Sequence, residues 1–277
     1  MNEPTLIPES GFFRFRIDLS YDGTNFSGWG KQPDRRTVQG VVEEALSQIF
    51  DRQIDTTVAG RTDAGVHATG QVIHFDAPTK IDEMVYRLNR FLTDEIRIID
   101  FAEAPYGFHA RFSALRRHYV YKILDANKTL HPIFRTDVAP YYRALDIELM
   151  NKAAESLVGE HDFFSFCRFR EKASTIRNLE KFKFHRNEDG IIVGEVSADA
   201  FCYSMVRGLV GAVAHVGEGR FPITWVKEVL NKKERQSDSL VFPAKGLTLI
   251  GVDYPDDSKL LERAKQAMAL RTIQEED

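Results

Sequence analysis

The chain is poor in cysteine, has no long apolar run and carries no excess of positive charge. Its 277 residues include two cysteines, Cys167 and Cys202, both in apolar surroundings (SFCRF and AFCYS). Neither belongs to a CxxC pair, which argues against a disulfide framework or a cysteine-based zinc site. A reduced, cytoplasmic protein is the expectation from that usage. No stretch approaches the roughly 18 apolar residues a membrane helix needs. The opening MNEPTLIPESG has neither the basic start nor the apolar run of a signal peptide, so no membrane association is expected. A P-loop is excluded because no GxxxxGK[ST] occurs. The net charge of −4 does not advertise a nucleic-acid binder. Binding follows local clustering of Arg and Lys, however, and Ala110–Lys122 (ARFSALRRHYVYK) carries Arg111, Arg116, Arg117 and Lys122 with no acid.

With 43% hydrophobic and 11% aromatic residues, the chain can bury a substantial core as one large domain or two ordinary ones. Phe13 to Tyr21 alternate strictly: Phe13, Phe15, Ile17, Leu19 and Tyr21 face one way, and Arg14, Arg16, Asp18 and Ser20 the other. That is the period-2 signature of a half-buried strand. The spacing of Val41, Val42, Ala45, Leu46, Ile49 and Phe50 predicts a helix over 38–50, capped by Thr37. Strands near 54–59 and 71–76, a helix near 82–92 and a strand at 95–102 complete a β-α-β-β-α-β order. This order suggests a ferredoxin-like, split βαβ module. The second half partly repeats the plan. A strand at 117–125, a helix at 147–157, strands near 176–185 and 190–198, helices at 203–215 and 223–232, and a strand at 247–254 precede a charged helix near 257–272. The fold class is therefore α+β, with two ferredoxin-like modules on antiparallel sheets, divided into residues 1–108 and 109–277. No low-complexity linker separates them.

The densest chemical signal is VAGRTDAGVHATGQVIHFD, residues 58–76. Gly60, Gly65 and Gly70 bracket Arg61, Thr62, Asp63 and His67 between two strands, and glycines admit positive φ and close approach. Such a loop can hold one carboxylate rigidly at the end of a sheet. It can equally be a long turn in which Asp63 bonds its own backbone. Asp63, His67, His74 and Asp76 are metal-capable but lack a standard ligand spacing. In FHARFSALRRHYVYK, residues 108–122, Arg111, Arg116 and Arg117 can neutralise phosphates, while Tyr119 and Tyr121 lie on one strand face. Aromatics beside arginines suit unstacked bases, although tyrosines packed in a core fit the same pattern. In FCYSMVRGLVGAVAHVG, residues 201–217, Arg207 sits in an apolar helix with no acid before Glu218. It either snorkels or pairs with a carboxylate from another segment, for which Asp63 is the candidate.

Taken together, YDGTNFSGW (21–29), QPDRRTVQ (32–39), GRTDAGVHATGQV (60–72), FHARFSA (108–114), GEHDFFSF (159–166), MVRGLVG (205–211) and GLTLIGVDY (246–254) resemble, in order, the TruA family of tRNA pseudouridine synthases. The resemblance spans about residues 13–255. It implies isomerisation of uridine to pseudouridine at positions 38, 39 and 40 of the tRNA anticodon stem-loop. It also implies a homodimer, without cofactor or metal, whose two modules lie side by side with a basic active-site cleft between them. By motif position, Asp63 becomes the catalytic aspartate, Arg207 its paired arginine and Tyr119 the base-contacting tyrosine, with Tyr121 as the competing assignment. Arg61, His67, Arg111, Arg116 and Arg117 become substrate-binding candidates. Gly30 stands where relatives commonly carry Gln, Thr93 replaces a frequent proline, and His118 occupies an often basic position. A non-catalytic RNA-binding module also explains arginine and tyrosine on one strand, but not the GRTDAGVHA loop. A metal hydrolase using Asp63 and His67 is the third reading.

Overall fold

The computed structural model describes residues 5–126, 128–168, 174–234 and 241–268. The fold is mixed α/β, and the chain divides into two compact units. The first unit runs to Leu115 and regains the chain from Leu249, while the second spans Arg116–Thr248. The expected boundary after residue 108 thus falls later, and the C-terminal strand and helix return to the first unit. Local periodicity carries no information about such a return.

In the first unit the elements are β1 (Phe13–Tyr21), α1 (Val38–Phe50), β2 (Thr57–Val58), β3 (His67–Ala77), α2 (Met84–Phe91) and β4 (Ile96–Glu103). The predicted β-α-β-β-α-β order holds, and the strands lie as β4-β1-β3 with short β2 on the far side of β3, all antiparallel. Thr37 caps α1 as expected, its hydroxyl accepting the Gly40 N–H at 3.3 Å. In the second unit, β5 (Arg116–Leu124), β6 (Ala139–Pro140), α3 (Ile147–Glu155), β7 (Gly159–Asp162), β8 (Ile176–Arg186), β9 (Ile192–Ala198), α4 (Met205–Gly217) and α5 (Trp225–Lys232) follow. Its sheet reads β5-β9-β8-β7 with antiparallel neighbours, and β6 pairs parallel to β5. Then β10 (Leu247–Asp253) brings the chain to the first unit, beside β3, and α6 (Leu260–Met268) ends the described chain. The close approach of β3 and β10 needs Gly70, since a Cβ there would overlap the Ile250 carbonyl. No helix among the described residues is long and apolar enough to cross a membrane.

The alternation of β1 is borne out on its apolar side, where Phe15, Ile17, Leu19 and Tyr21 are all buried. Its polar side is half-exposed at Arg16, Asp18 and Ser20, as a half-buried strand requires, and Arg14 alone of these four is buried, at 4% exposure. Arg14 stands opposite Asp76 on β3 and binds it through two hydrogen bonds of 2.7 and 2.8 Å. A third goes to the Phe108 carbonyl at 2.9 Å. Phe108, Ala110 and Leu260 form a second apolar cluster with Ala59 and Val72, and the Arg16 guanidinium lies 5.1 Å from the Tyr254 ring. Beside this pair, His74 Nδ1 accepts the Ala110 N–H at 3.1 Å, and His109 Nδ1 accepts those of Arg111 and Phe112 at 3.3 and 3.1 Å. The FHARFSA segment is thereby wound onto two neutral imidazoles.

A second correction concerns the cysteines. Cys167 and Cys202, both in the second unit, are joined as a disulfide with Cα atoms 5.7 Å apart. They stand 35 positions apart in sequence. A pairing made by tertiary packing leaves no local spacing to read.

Burial and the Arg14 charge push His74 well below its ordinary value, and His109 falls to about 4 for the same reasons. A histidine kept neutral when folded costs stability wherever the unfolded chain already takes up the proton. Stability should therefore be full above about pH 6.5 and decline as pH falls towards 4, by of order 3 kcal/mol from His109 alone. His109→Asn retains an acceptor for the two backbone N–H groups and should flatten that slope in denaturant melts between pH 7 and 4.5. An unchanged slope would show that protonation elsewhere governs acid lability.

Candidate active site

Residues 59–66 connect β2 to β3, and neighbouring segments of the first unit hold this loop from both sides. The Trp29 N–H donates to the Thr62 carbonyl at 3.0 Å. The Tyr21 hydroxyl lies 2.8 Å from the Thr62 hydroxyl and accepts from Gln71 Nε2 at 3.2 Å. That same amide nitrogen donates to the Gly60 carbonyl at 2.9 Å. Burial pushes the Tyr21 hydroxyl up to about 12, against the effect of its bonds to Thr62 and Gln71, so it stays a neutral hydrogen-bonding group. The loop closes on itself through the Val66 N–H, which donates to the Asp63 carbonyl at 3.2 Å, and Gly65 supplies a φ of +78°.

Two glycines outside the loop allow this approach. A Cβ at Gly23 would overlap the Val66 carbonyl, and one at Gly28, whose φ is +91°, would lie 3.0 Å from the Thr62 oxygen. His67, at the start of β3, is buried, and its Nδ1 accepts the Gly23 N–H at 3.1 Å. Asp63 itself is half-buried, and Arg61 is exposed with its guanidinium carbon 3.6 Å from where a Cβ on Gly30 would sit. The loop is thus an anchored platform for one carboxylate. Of the metal-capable set, His74 and Asp76 are engaged with the Ala110 amide and Arg14. Among the described residues, no three His, Cys, Asp or Glu side chains gather as a ligand set.

In the same unit Arg111 is exposed, its guanidinium carbon 5.1 Å from the Phe112 ring. The remaining candidates lie in the second unit. Arg116 opens β5 and pairs with Glu180. Arg117 is buried and donates to the Asp199 carbonyl at 2.7 Å, so part of its capacity organises the β9 end. Tyr119 and Tyr121 do share a face, and both are buried. Tyr119 is 7% exposed and packs edge-on against the half-buried Phe201, with centroids 5.1 Å apart. Tyr121 is fully enclosed, and its hydroxyl donates to the Pro243 carbonyl at 2.6 Å. Burial drives its acidity far down, opposed only by the Arg207 charge.

Arg207 lies in the first turn of α4, where every other residue from Met205 to Gly217 is buried. Its Nε donates to the Phe242 carbonyl at 2.6 Å, while its own carbonyl accepts the Phe242 N–H at 3.2 Å. The guanidinium is thereby steered by a backbone acceptor as well as by packing. Sequence reasoning missed Tyr21, Trp29, Gln71 and Phe242 as the groups that orient Asp63's loop and Arg207. The only available signal for the first two was their position in YDGTNFSGW.

The sequence pattern of the tRNA pseudouridine synthase family matches residues 19–113 and 153–255. Among curated relatives, "tRNA pseudouridine synthase A" of Frankia casuarinae is 51% identical over 264 residues, covering 94% of this chain and 96% of the relative. The protein of the same name from Streptomyces griseus is 48% identical over 273 residues, with 96% of each covered. That from Mycobacterium leprae is 43% identical over 288 residues, covering 98% of this chain and 99% of the relative. Similarity of that extent, running through the anchored aspartate loop and the arginine helix alike, means that the chain belongs to the tRNA pseudouridine synthase family.

Proposed function

We propose that the protein isomerises uridine to pseudouridine at positions 38, 39 and 40 of the tRNA anticodon stem-loop, with Asp63 as its single catalytic carboxylate. The observation that carries this reading is the anchoring of the GRTDAGVHA loop, which leaves Asp63 as the one acid of a rigid platform. The reaction breaks the N1–C1′ bond, rotates the freed uracil and joins C5 to C1′, with the C5 proton lost and N1 protonated. No electrons are exchanged and no atoms are added, so the step needs no cofactor of its own. A carboxylate beside the sugar serves either by attacking C1′ or by removing the 2′ proton to give a glycal.

Tyr119 is assigned as the residue that meets the displaced base, because it retains some exposure and stands beside Phe201. Tyr121 suits the role less, its hydroxyl being committed to Pro243. Stacking on an aromatic face offsets the few kcal/mol needed to unstack a base. Arg61, Arg111 and Arg116 are exposed cations suited to the RNA backbone, with Arg117 and His67 contributing by shaping the two segments. Arg207 is assigned as the counter-charge of Asp63, on the ground that α4 carries no acid before Glu218 and that its planar fork matches a carboxylate. The strand order β4-β1-β3-β2 supports a ferredoxin-like plan for the first unit. A homodimer acting in the cytoplasm completes the reading.

Incubation with tRNA lacking pseudouridine, followed by site mapping, should place the product at 38–40 without added cofactor and in the presence of EDTA. Binding without product would favour the non-catalytic RNA-binding module, and activity lost to EDTA and restored by zinc the metal hydrolase. Despite the net charge of −4, tRNA affinity should fall steeply and linearly on a log–log salt plot, as counterion release requires. A flat plot would contradict phosphate contacts by these arginines.

The Arg207 assignment is tested by coupling. Both side chains are half-buried, and removing one member of such a pair strands the other charge. Arg207→Ala should therefore destabilise wild type more than it destabilises Asp63→Asn, as read by denaturant melts of both singles and the double. Strict additivity would assign Arg207 another acid.

A further inference from the structure

We propose that Cys167 and Cys202 form a reversible thiol–disulfide site that clamps the segment leading into the Arg207 helix, with small-molecule disulfides and dithiols as its exchange partners. The two residues flank a tight junction within the second unit. Cys167 follows the 3-10 turn Phe164–Phe166, is 5% exposed, and has its sulfur 3.0 Å from the Phe163 carbonyl, where a thiol donates. Cys202 is half-buried and precedes α4 by three residues. The Arg168 N–H donates to the Tyr203 carbonyl at 2.8 Å, joining the residues that follow each cysteine. Gly208 lies against the turn so closely that a Cβ would sit 2.9 Å from the Phe166 carbonyl. Arg207 is its immediate neighbour.

The Cα separation of 5.7 Å lies within the bridging range, so the backbone needs no rearrangement to pass between the two states. In the forward direction the more accessible Cys202 thiolate attacks a small disulfide and expels one thiolate. The Cys167 thiolate then attacks the Cys202 sulfur and expels the second. Two protein thiols are oxidised, one small disulfide is reduced to two thiols, and a dithiol reverses both steps. The regulatory sense of the site rests on the tRNA-modifying reading. Enzymes acting on tRNA work where thiols are kept reduced, and a cysteine pair there is transient or redox-sensing rather than a permanent staple. Closing a 35-residue loop restricts opening of the junction, which is the seat of Arg207.

The test is to equilibrate the full-length protein in glutathione buffers from fully reduced to fully oxidised, trap free thiols with a maleimide, and measure mass and amide exchange. Both thiols should disappear together into one intramolecular bond that dithiothreitol reopens. The amides of Arg168 and Gly208 should exchange about tenfold more slowly in the oxidised form. Cys167→Ser and Cys202→Ser should each abolish that slowing and leave the remaining cysteine singly glutathionylated. Independent glutathionylation of the wild-type cysteines, or a bridge that leaves both amides unchanged, would overturn the clamp. A bridge that slows exchange in a protein lacking synthase activity would uphold the clamp and count against the tRNA reading alone.

Discussion

The hydrogen bond from the Trp29 amide to the Thr62 carbonyl fixes the backbone one residue before Asp63, and much of the first unit exists to make it possible. Trp29 is completely buried, so its amide cannot drift, and Gly28 adopts a φ that other residues resist while lying against the loop. Tyr21 and Gln71 reach the same loop from β1 and β3, which places the second anchor on sheet strands. A carboxylate carried on backbone fixed in this way needs little reorganisation to meet a reacting group, which is the preorganisation that positioned catalysis requires.

At the other end of β1 and β3, the Arg14–Asp76 pair shows how the unit tolerates a buried charge. Exposed ion pairs contribute little, but here the guanidinium is 4% exposed and spends its donors on Asp76 and the carbonyls of Thr5, Leu6 and Phe108. The pair draws the FHARFSA segment against β3, where two imidazoles accept three backbone N–H groups. In the second unit Arg207 is handled in the same way, with the Phe242 carbonyl taking its Nε. In both units a backbone carbonyl helps to orient a cation.

Features set by short-range periodicity were legible in the sequence. The β1 alternation, the α1 span and its Thr37 cap all follow from a few consecutive residues, and the structure repeats them. The loop around Asp63 was legible because glycines cluster wherever backbone must approach backbone. What long-range packing decides was not legible. Alternation cannot report that the Arg16 guanidinium lies near the Phe108 and Tyr254 rings, nor that Arg14 is buried against the Phe108 carbonyl. The return of β10 beside β3 and the pairing of Cys167 with Cys202 are likewise products of tertiary contact. Arg117 and Tyr121 illustrate the same limit at the candidate site. Their residue types suit RNA, yet each gives a polar group to a local carbonyl.

The central claim is that one anchored carboxylate performs the isomerisation, and single-turnover kinetics of Asp63→Asn test it most directly. The amide is neither nucleophile nor base at this step, and the bonds from Trp29, Tyr21 and Gln71 that anchor the loop are made to Thr62 and Gly60. The account predicts retained tRNA binding and essentially no pseudouridine at any enzyme concentration. Product formed by Asp63→Asn within a small factor of the wild-type rate would contradict it.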